Sequence, residues 1–373
     1  MDFALSDEQT AIAELAGRIL SELLPPDRLR EIEQADEWFA PDVWRELAKA
    51  DLLGIAMPEA DGGGGYGFFE LALILEQVGL AQAPVPVLAS LALGASGVAE
   101  FGSTDLRAQL LPGVIAGDLV LTAAVIEGND GLPPAIPATE AVADGDGWLI
   151  TGTKRFVTAG QIAHRALVPA RTSEGATTVF VVDLSADGVT RNADLSLNLE
   201  PVPTIDFDAV AVGPADVLGT VDGGAEIVSW ITDRGIAAWC AVQTGVCEAA
   251  TRLTATYTSS RRQFDTPIAT FQAVAHRAAD AYIDTEAIRL TSRQAAWRLA
   301  DGRPADEELA VAKYWAAEGA HRVVHAAQHL HGGIGVDLDY PVHRTFRWAK
   351  HIELSLGGST AHLRRLGAII AAG

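Results

Sequence analysis

Gln328-His-Leu-His-Gly-Gly-Ile-Gly-Val-Asp-Leu-Asp-Tyr-Pro341 is followed, a short helix later, by Leu354-Ser-Leu-Gly-Gly-Ser-Thr360. Each run carries a Gly-Gly pair, where a backbone can turn sharply or lie close against a ligand. His331 adjoins the first pair, and a helix is expected to begin near Pro341. The second run holds no acid: Ser355, Leu356, Gly357, Gly358 and Ser359 are all uncharged. Glu353 is the nearest carboxylate. It lies upstream, and a helix would aim it elsewhere, so it reads as a structural charge.

The segments leading to these runs have a helical period. Ala238, Val242, Val246, Ala249, Leu253 and Tyr257 share one face of a long helix. Further helices are expected over Phe271 to Leu299 and Asp306 to Leu330. Between 119 and 218 the pattern is that of strands: Leu119 to Val125, Trp148 to Thr151, Thr178 to Asp183 and Thr204 to Val212. Asp144-Gly-Asp-Gly147 reads as a hairpin turn, and Gly128 to Pro137 as a loop. Residues 1–118 are again helical. Ser6-Asp-Glu-Gln9 forms a capping box before Ile12, Leu15 and Ile19, Pro25 and Pro26 interrupt, Pro41 starts a helix, and Phe69 to Val78 is another. Helix, then β, then helix gives an α+β chain of three domains, 1–118, 119–218 and 219–373, not the alternation of a doubly wound fold.

Composition narrows the function. A chain of 373 residues, 49% apolar and 20% charged, is globular. Its net charge of −22 argues against nucleic acid as a partner and against anionic membranes. No stretch approaches the roughly 18 apolar residues of a membrane span. The start, Met1-Asp2-Phe3-Ala4-Leu5-Ser6-Asp7, lacks a signal pattern. Cys240 and Cys247 lie about 10 Å apart along one helix, too far for a disulfide, so a cytoplasmic setting is expected.

Several motifs have two readings. Asp61-Gly-Gly-Gly-Gly-Tyr-Gly67 imitates a dinucleotide loop, but Pro58 precedes it and no second strand follows, so a permissive turn is expected. His321, His325 and His329 share a helical face, which suits either zinc or a polar contact surface; Arg322 stands where a His-Glu-x-x-His motif needs Glu. Arg261-Arg-Gln-Phe264 either ends a helix favourably for its dipole or clamps a pyrophosphate. There is no Gly-x-Ser-x-Gly elbow and no phosphate-binding Gly-x-x-x-x-Gly-Lys-Ser/Thr loop.

Taken in order, six segments resemble the acyl-CoA dehydrogenases along essentially the whole chain. They are Met57-Pro-Glu with its glycine run, Gly152-Thr-Lys-Arg-Phe-Val-Thr158, Val217-Leu-Gly219, Tyr257 to Gln272, Gln328 to Pro341, and the Gly357-Gly358 turn. The resemblance implies an N-terminal helical domain, a middle β-barrel and a C-terminal four-helix bundle. It implies FAD as cofactor and an acyl-CoA substrate. An electron-transfer flavoprotein or another acceptor would take the electrons, and the assembly would be a homo-oligomer or a hetero-oligomer with a homologous subunit. By position, Phe156 and Thr158 resemble residues beside the isoalloxazine. Arg261 and Phe264 resemble those that hold FAD pyrophosphate and adenine from a neighbouring subunit, and Gln328, Gly332 and Gly333 the neighbour's other contacts with the adenosine half.

The chain departs from the family in two places. The glutamate usual before the last Gly-Ser pair is missing. A minority of the family puts its base on the first long C-terminal helix, just before an arginine, and here that pair is Asp233-Arg234. Asp233 shares a largely apolar face with Trp230 and Ala237, which would desolvate it. Its side chain is about 1.5 Å shorter than Glu. A buried Asp paired with Arg234, or a subunit contact, is the alternative. The family's Thr-Glu-Pro and Ser-Asp loop is replaced by Ile126-Glu-Gly-Asn-Asp-Gly131 and prolines. Three functions follow: α,β-dehydrogenation of an acyl-CoA thioester, a non-catalytic partner in a heteromeric dehydrogenase, and, more remotely, a nitroalkane oxidase-like flavoenzyme.

Overall fold

The computed structural model describes residues 4–35, 38–173 and 175–372. Residues 1–3, part of the start expected to lack a signal pattern, lie outside the described residues. In chain order the helices are α1 (Asp7–Leu23), α2 (Pro26–Gln34), α3 (Pro41–Lys49), α4 (Phe68–Ala81), α5 (Ser96–Phe101) and α6 (Thr104–Ile115). Strands β1 (Leu121–Ala123), β2 (Glu140–Asp144), β3 (Gly147–Lys154), β4 (Arg165–Ser173), β5 (Ala176–Asp183), β6 (Val189–Asn192), β7 (Thr204–Val212) and β8 (Val217–Leu218) follow. Then come α7 (Gly224–Ser260), a hairpin of β9 (Arg262–Gln263) and β10 (Thr266–Pro267), α8 (Gln272–Ala300), α9 (Asp306–Tyr314), α10 (Ala320–His331), α11 (Val342–Leu354) and α12 (Ser359–Ala372). The helical–β–helical order is the expected one.

The chain forms two compact units. One comprises residues 1–34, 72–83 and 236–373, and the other 35–71 and 84–235. The first is helical. The Ser6 hydroxyl accepts the Gln9 amide at 3.2 Å and the Gln9 side chain accepts the Ser6 amide at 3.0 Å, closing the capping box of α1. α4 and α7 cross at glycines: a Cβ on Gly79 would stand 1.9 Å from the Val242 carbonyl oxygen, and one on Gly245 1.9 Å from that of Glu76. Glu76, buried at this crossing, takes both arms of Arg293 at 3.0 and 2.9 Å.

The second unit is built on a sheet with the path β6-β7-β3-β2-β4-β5-β8, with β1 beside β4. The expected hairpin turn is Gly145-Asp146, between the paired Asp144 and Gly147. Four strands of this sheet were not expected: β2, β4, β6 and β8. β4 carries Pro169 at its centre, which argues against a strand. The structure accommodates it in a gap, because on that side β1 pairs only as far as Leu167 and β2 begins at Arg171. The missing N–H faces no strand, and the Pro169 carbonyl accepts Lys154 Nζ at 2.7 Å.

The first expected strand shrinks to Leu121–Ala123. The expected helix from Asp306 to Leu330 is interrupted by a π-helical turn at Trp315–Gly319. The last helix is two, broken after Leu354. The glycine run at 61–67 is a self-bonded turn: Gly64 donates to Gly54, Gly65 to Met57 and Tyr66 to Ile55. Among the described residues the first strand comes at Leu121, so the dinucleotide reading has no sheet to rest on.

Candidate functional site

In the helical unit, α10 ends at His331 and Gly332 takes φ +63°, ψ −138°, a conformation that requires glycine. Gly332 and Gly333 are exposed, and a Cβ on either would meet nothing within 4 Å. Gln328 packs inward, where a Cβ on Gly335 would come within 2.7 Å of its side-chain oxygen. That oxygen is buried with no hydrogen-bond partner among the described residues. His331 stacks on Tyr257, with ring centroids 4.6 Å apart, and donates Nδ1–H to the Ala327 carbonyl at 2.7 Å. Burial lowers its pKa against that hydrogen bond.

Arg261 follows α7 and is exposed. The tip of the next hairpin is Phe264-Asp265, at φ +53° and +60°. Two successive left-handed residues match a type I′ turn, which ordinarily takes Asn and Gly. Phe264 is 88% exposed, its ring edge-on to Phe271 at 6.3 Å.

The second glycine run is a turn between α11 and α12. Leu356 and Gly357 take φ +51° and +88°, and the Leu356 side chain is buried. The Leu356 carbonyl accepts His362 Nε2–H at 2.8 Å. Glu353 is tied down by Lys350 Nζ at 2.6 Å and His321 Nδ1 at 3.3 Å. Its charge is therefore spent within the helical unit. Beneath it the fully buried Lys313 donates to the carbonyls of Ile352 at 2.9 Å and Glu353 at 3.2 Å, and burial lowers its pKa to about 8. Along α10, His321 stacks on His325 at 4.0 Å and His325 donates to the His321 carbonyl at 2.8 Å, while His329 is exposed.

In the β-containing unit, Asp233 and Arg234 are half-buried near the end of the part of α7 that belongs to it. The Arg234 guanidinium lies 3.3 Å from the centroid of the Trp230 ring, which packs edge-on to Phe101 at 5.3 Å. Burial lowers the Arg234 pKa to about 10, opposed by the charges of Glu100 and Asp233.

Phe156 and Thr158 lie in the segment after β3. Phe156 is 44% exposed at φ +52°, and Thr158 is half-buried. A non-glycine residue held there is strained unless its surroundings fix it. They do: Arg155 N–H donates to Ile126 at 2.8 Å, Val157 N–H to Pro203 at 3.1 Å, and the Thr122 hydroxyl to the Thr158 carbonyl at 2.7 Å.

The divergent loop after β1 is anchored by Glu127. Its carboxylate accepts Lys154 Nζ at 2.6 Å and the amides of Ala138 at 2.6 Å and Thr139 at 3.1 Å. Burial opposes its ionisation, but Lys154 and these donors prevail and hold the carboxyl below its ordinary range. Sequence reading missed this pair. The one available signal was a lysine inside an otherwise apolar-facing strand.

Family comparison settles the wider identity. The N-terminal, middle and C-terminal acyl-CoA dehydrogenase domain models match residues 6–118, 122–210 and 222–371. The chain belongs to the acyl-CoA dehydrogenase family. Members are FAD-dependent oxidoreductases acting on CH–CH bonds of acyl-CoA thioesters. Among relatives of this acyl-CoA dehydrogenase, FadE27 of Mycobacterium tuberculosis is 38% identical over 98% of each chain. A chain of the ChsE4–ChsE5 complex from Mycobacterium tuberculosis superposes with TM-score 0.94 at 38% identity over the whole of both chains. A variant of the Tcur3481–Tcur3483 steroid ACAD gives 0.90 at 42% identity over 98% of each. No helix among the described residues is long and apolar enough to cross a membrane.

Proposed function

We propose that this acyl-CoA dehydrogenase holds FAD with Phe156 and Thr158 beside the isoalloxazine. It lends Arg261, Phe264, Gln328, Gly332 and Gly333 to the adenosine half of a neighbouring subunit's FAD. The observation that carries the reading is Phe264, an aromatic ring set on a strained turn and left 88% exposed. Such a side chain buries little in a lone chain, where it meets Phe271 edge-on, and suits stacking on a planar ring across a boundary. The other residues fit the same group. Arg261 offers a free-facing fork for phosphate oxygens, the bare Gly332-Gly333 backbone admits close approach, and Phe156 presents an apolar edge from a fixed backbone.

FAD, when bound, accepts the β-hydride of the thioester at N5. The chain must supply a base for the α-proton. Ser355 through Ser359 contain no acid and Glu353 is ion-paired; the resemblance to members with the base before an arginine on the first long C-terminal helix supports Asp233, which lies in the same compact unit as Phe156 and Thr158. Arg234, stacked on Trp230, feels the charge of Asp233, which favours its protonated form. The likeness to a steroid ACAD supports a bulky, ring-bearing acyl group. Electrons would pass to an electron-transfer flavoprotein or a similar acceptor, in a cytoplasmic setting.

A second reading keeps the flavin contacts and gives the base to another polypeptide. Both of the compared structures are complexes of two named chains. Asp233→Asn separates the two. If Asp233 is the base, the variant keeps FAD and loses substrate-driven flavin bleaching with steroid-type and straight-chain acyl-CoA alike. Bleaching at the wild-type rate overturns Asp233 as the base.

A further inference from the structure

The segment Arg155–Gln161 is held at more points than its length requires, and one of them is a titratable group. Ala159 takes φ +53°, the second left-handed non-glycine residue in four positions. Its amide donates to Glu200 Oε1 at 3.2 Å, from a carboxyl that is 4% exposed. Arg191, on β6, holds the same stretch from another side, donating to the carbonyls of Gly160 at 3.3 Å and Gln161 at 2.8 Å. The loop that carries Glu200 is closed on itself. Ser196 N–H donates to the Glu200 carbonyl at 3.0 Å and Val202 N–H to that of Asp194 at 2.9 Å. Glu200 therefore cannot swing away without opening its own loop.

We propose that Glu200 is a positioning residue: its carboxyl fixes Ala159 in the left-handed region and thereby sets how Phe156 and Thr158 present themselves to a flavin. The proposal rests on the reading of those two residues as flavin-flanking. It adds that the flavin seat is tuned by a buried carboxyl. Burial raises the Glu200 pKa to about 7, opposed by the Ala159 amide and the Asn198 side chain, both neutral. Arg191 also binds the Leu184 carbonyl at 3.0 Å, and Asp194 accepts the Thr204 hydroxyl at 3.2 Å. The charge beside the seat thus changes through neutrality.

Glu200→Gln keeps an acceptor and removes the charge, while Glu200→Leu removes both. In the full-length protein, hydrogen exchange at the Ala159 amide is read with and without FAD. The expected result is protection in wild type and Glu200→Gln, and exchange about tenfold faster in Glu200→Leu, the worth of one net hydrogen bond. In FAD-loaded protein the flavin absorption band is expected to shift with pH around a midpoint of about 7, and not to shift in Glu200→Gln. Unchanged Ala159 protection in Glu200→Leu overturns the proposal, as does a pH shift that survives in Glu200→Gln. If Glu200→Leu does not fold, the spectral comparison of wild type with Glu200→Gln still decides. A protein that binds no flavin yet shows the expected exchange pattern would defeat the flavin-seat reading while leaving the brace intact.

Discussion

Glu200 and Lys154 are single residues whose placement costs stability and whose partners lie far away in sequence. A carboxyl held at about 7 rather than 4.5 costs on the order of 3 kcal/mol once ionised. The folded state binds its proton more tightly than the unfolded state, so stability falls as pH rises from about 4.5 to about 7. Below that window the cost is absent, and above it the cost is complete. Glu200→Gln should therefore raise the denaturation midpoint above pH 7 and leave it nearly unchanged near pH 4. A chemical-denaturation series across that range checks the sign. Neither role was readable from the sequence. Ala159 and Glu200 are 41 positions apart, and Lys154 and Pro169 are 15 apart. No local period reports a bond across such distances. The hairpin at Arg261–Phe264 and the Gly332-Gly333 pair could be singled out because unusual residue types cluster there.

Among the elements, the crossing of α4 and α7 depends on absent side chains. A methyl on Gly79 or Gly245 would collide with backbone carbonyls, which cannot turn aside as a flexible side chain can. Alanine gains about 1 kcal/mol of helix propensity over glycine. Overpacking a closed contact costs about 1–3 kcal/mol and sometimes more. Gly79→Ala and Gly245→Ala should each lower stability, with the thermal midpoint as the measurement; an unchanged or raised midpoint would contradict the close crossing. The helices themselves were legible from their 3.6-residue period, and β7 from alternation. β4 was not, because Pro169 opposes a strand locally and only the gap between β1 and β2 makes it tolerable. The π-helical turn at Trp315–Gly319 was equally hidden, since an inserted residue shifts the period without leaving a turn residue to mark it.

For the whole molecule, the fold class came from the order of patterns, helical, then β, then helical, together with glycine runs in family order. Cys240 and Cys247 are free, fully buried and on α7. Burial pushes the Cys240 thiol up to about 12 and raises Cys247 as well. Neither should react with a thiol reagent until the chain unfolds; labelling of the native protein would contradict the packing of α7. The proposed sharing of flavin between subunits rests on what the single chain leaves exposed: Phe264, Arg261 and the Gly332-Gly333 backbone. The most direct test of this account is the FAD-to-protomer ratio of the purified chain, alone and co-expressed with a homologous dehydrogenase chain. The account predicts a yellow protein that retains FAD by itself. A colourless chain, with flavin appearing only beside the homologue, would show that it lends contacts and holds no flavin of its own.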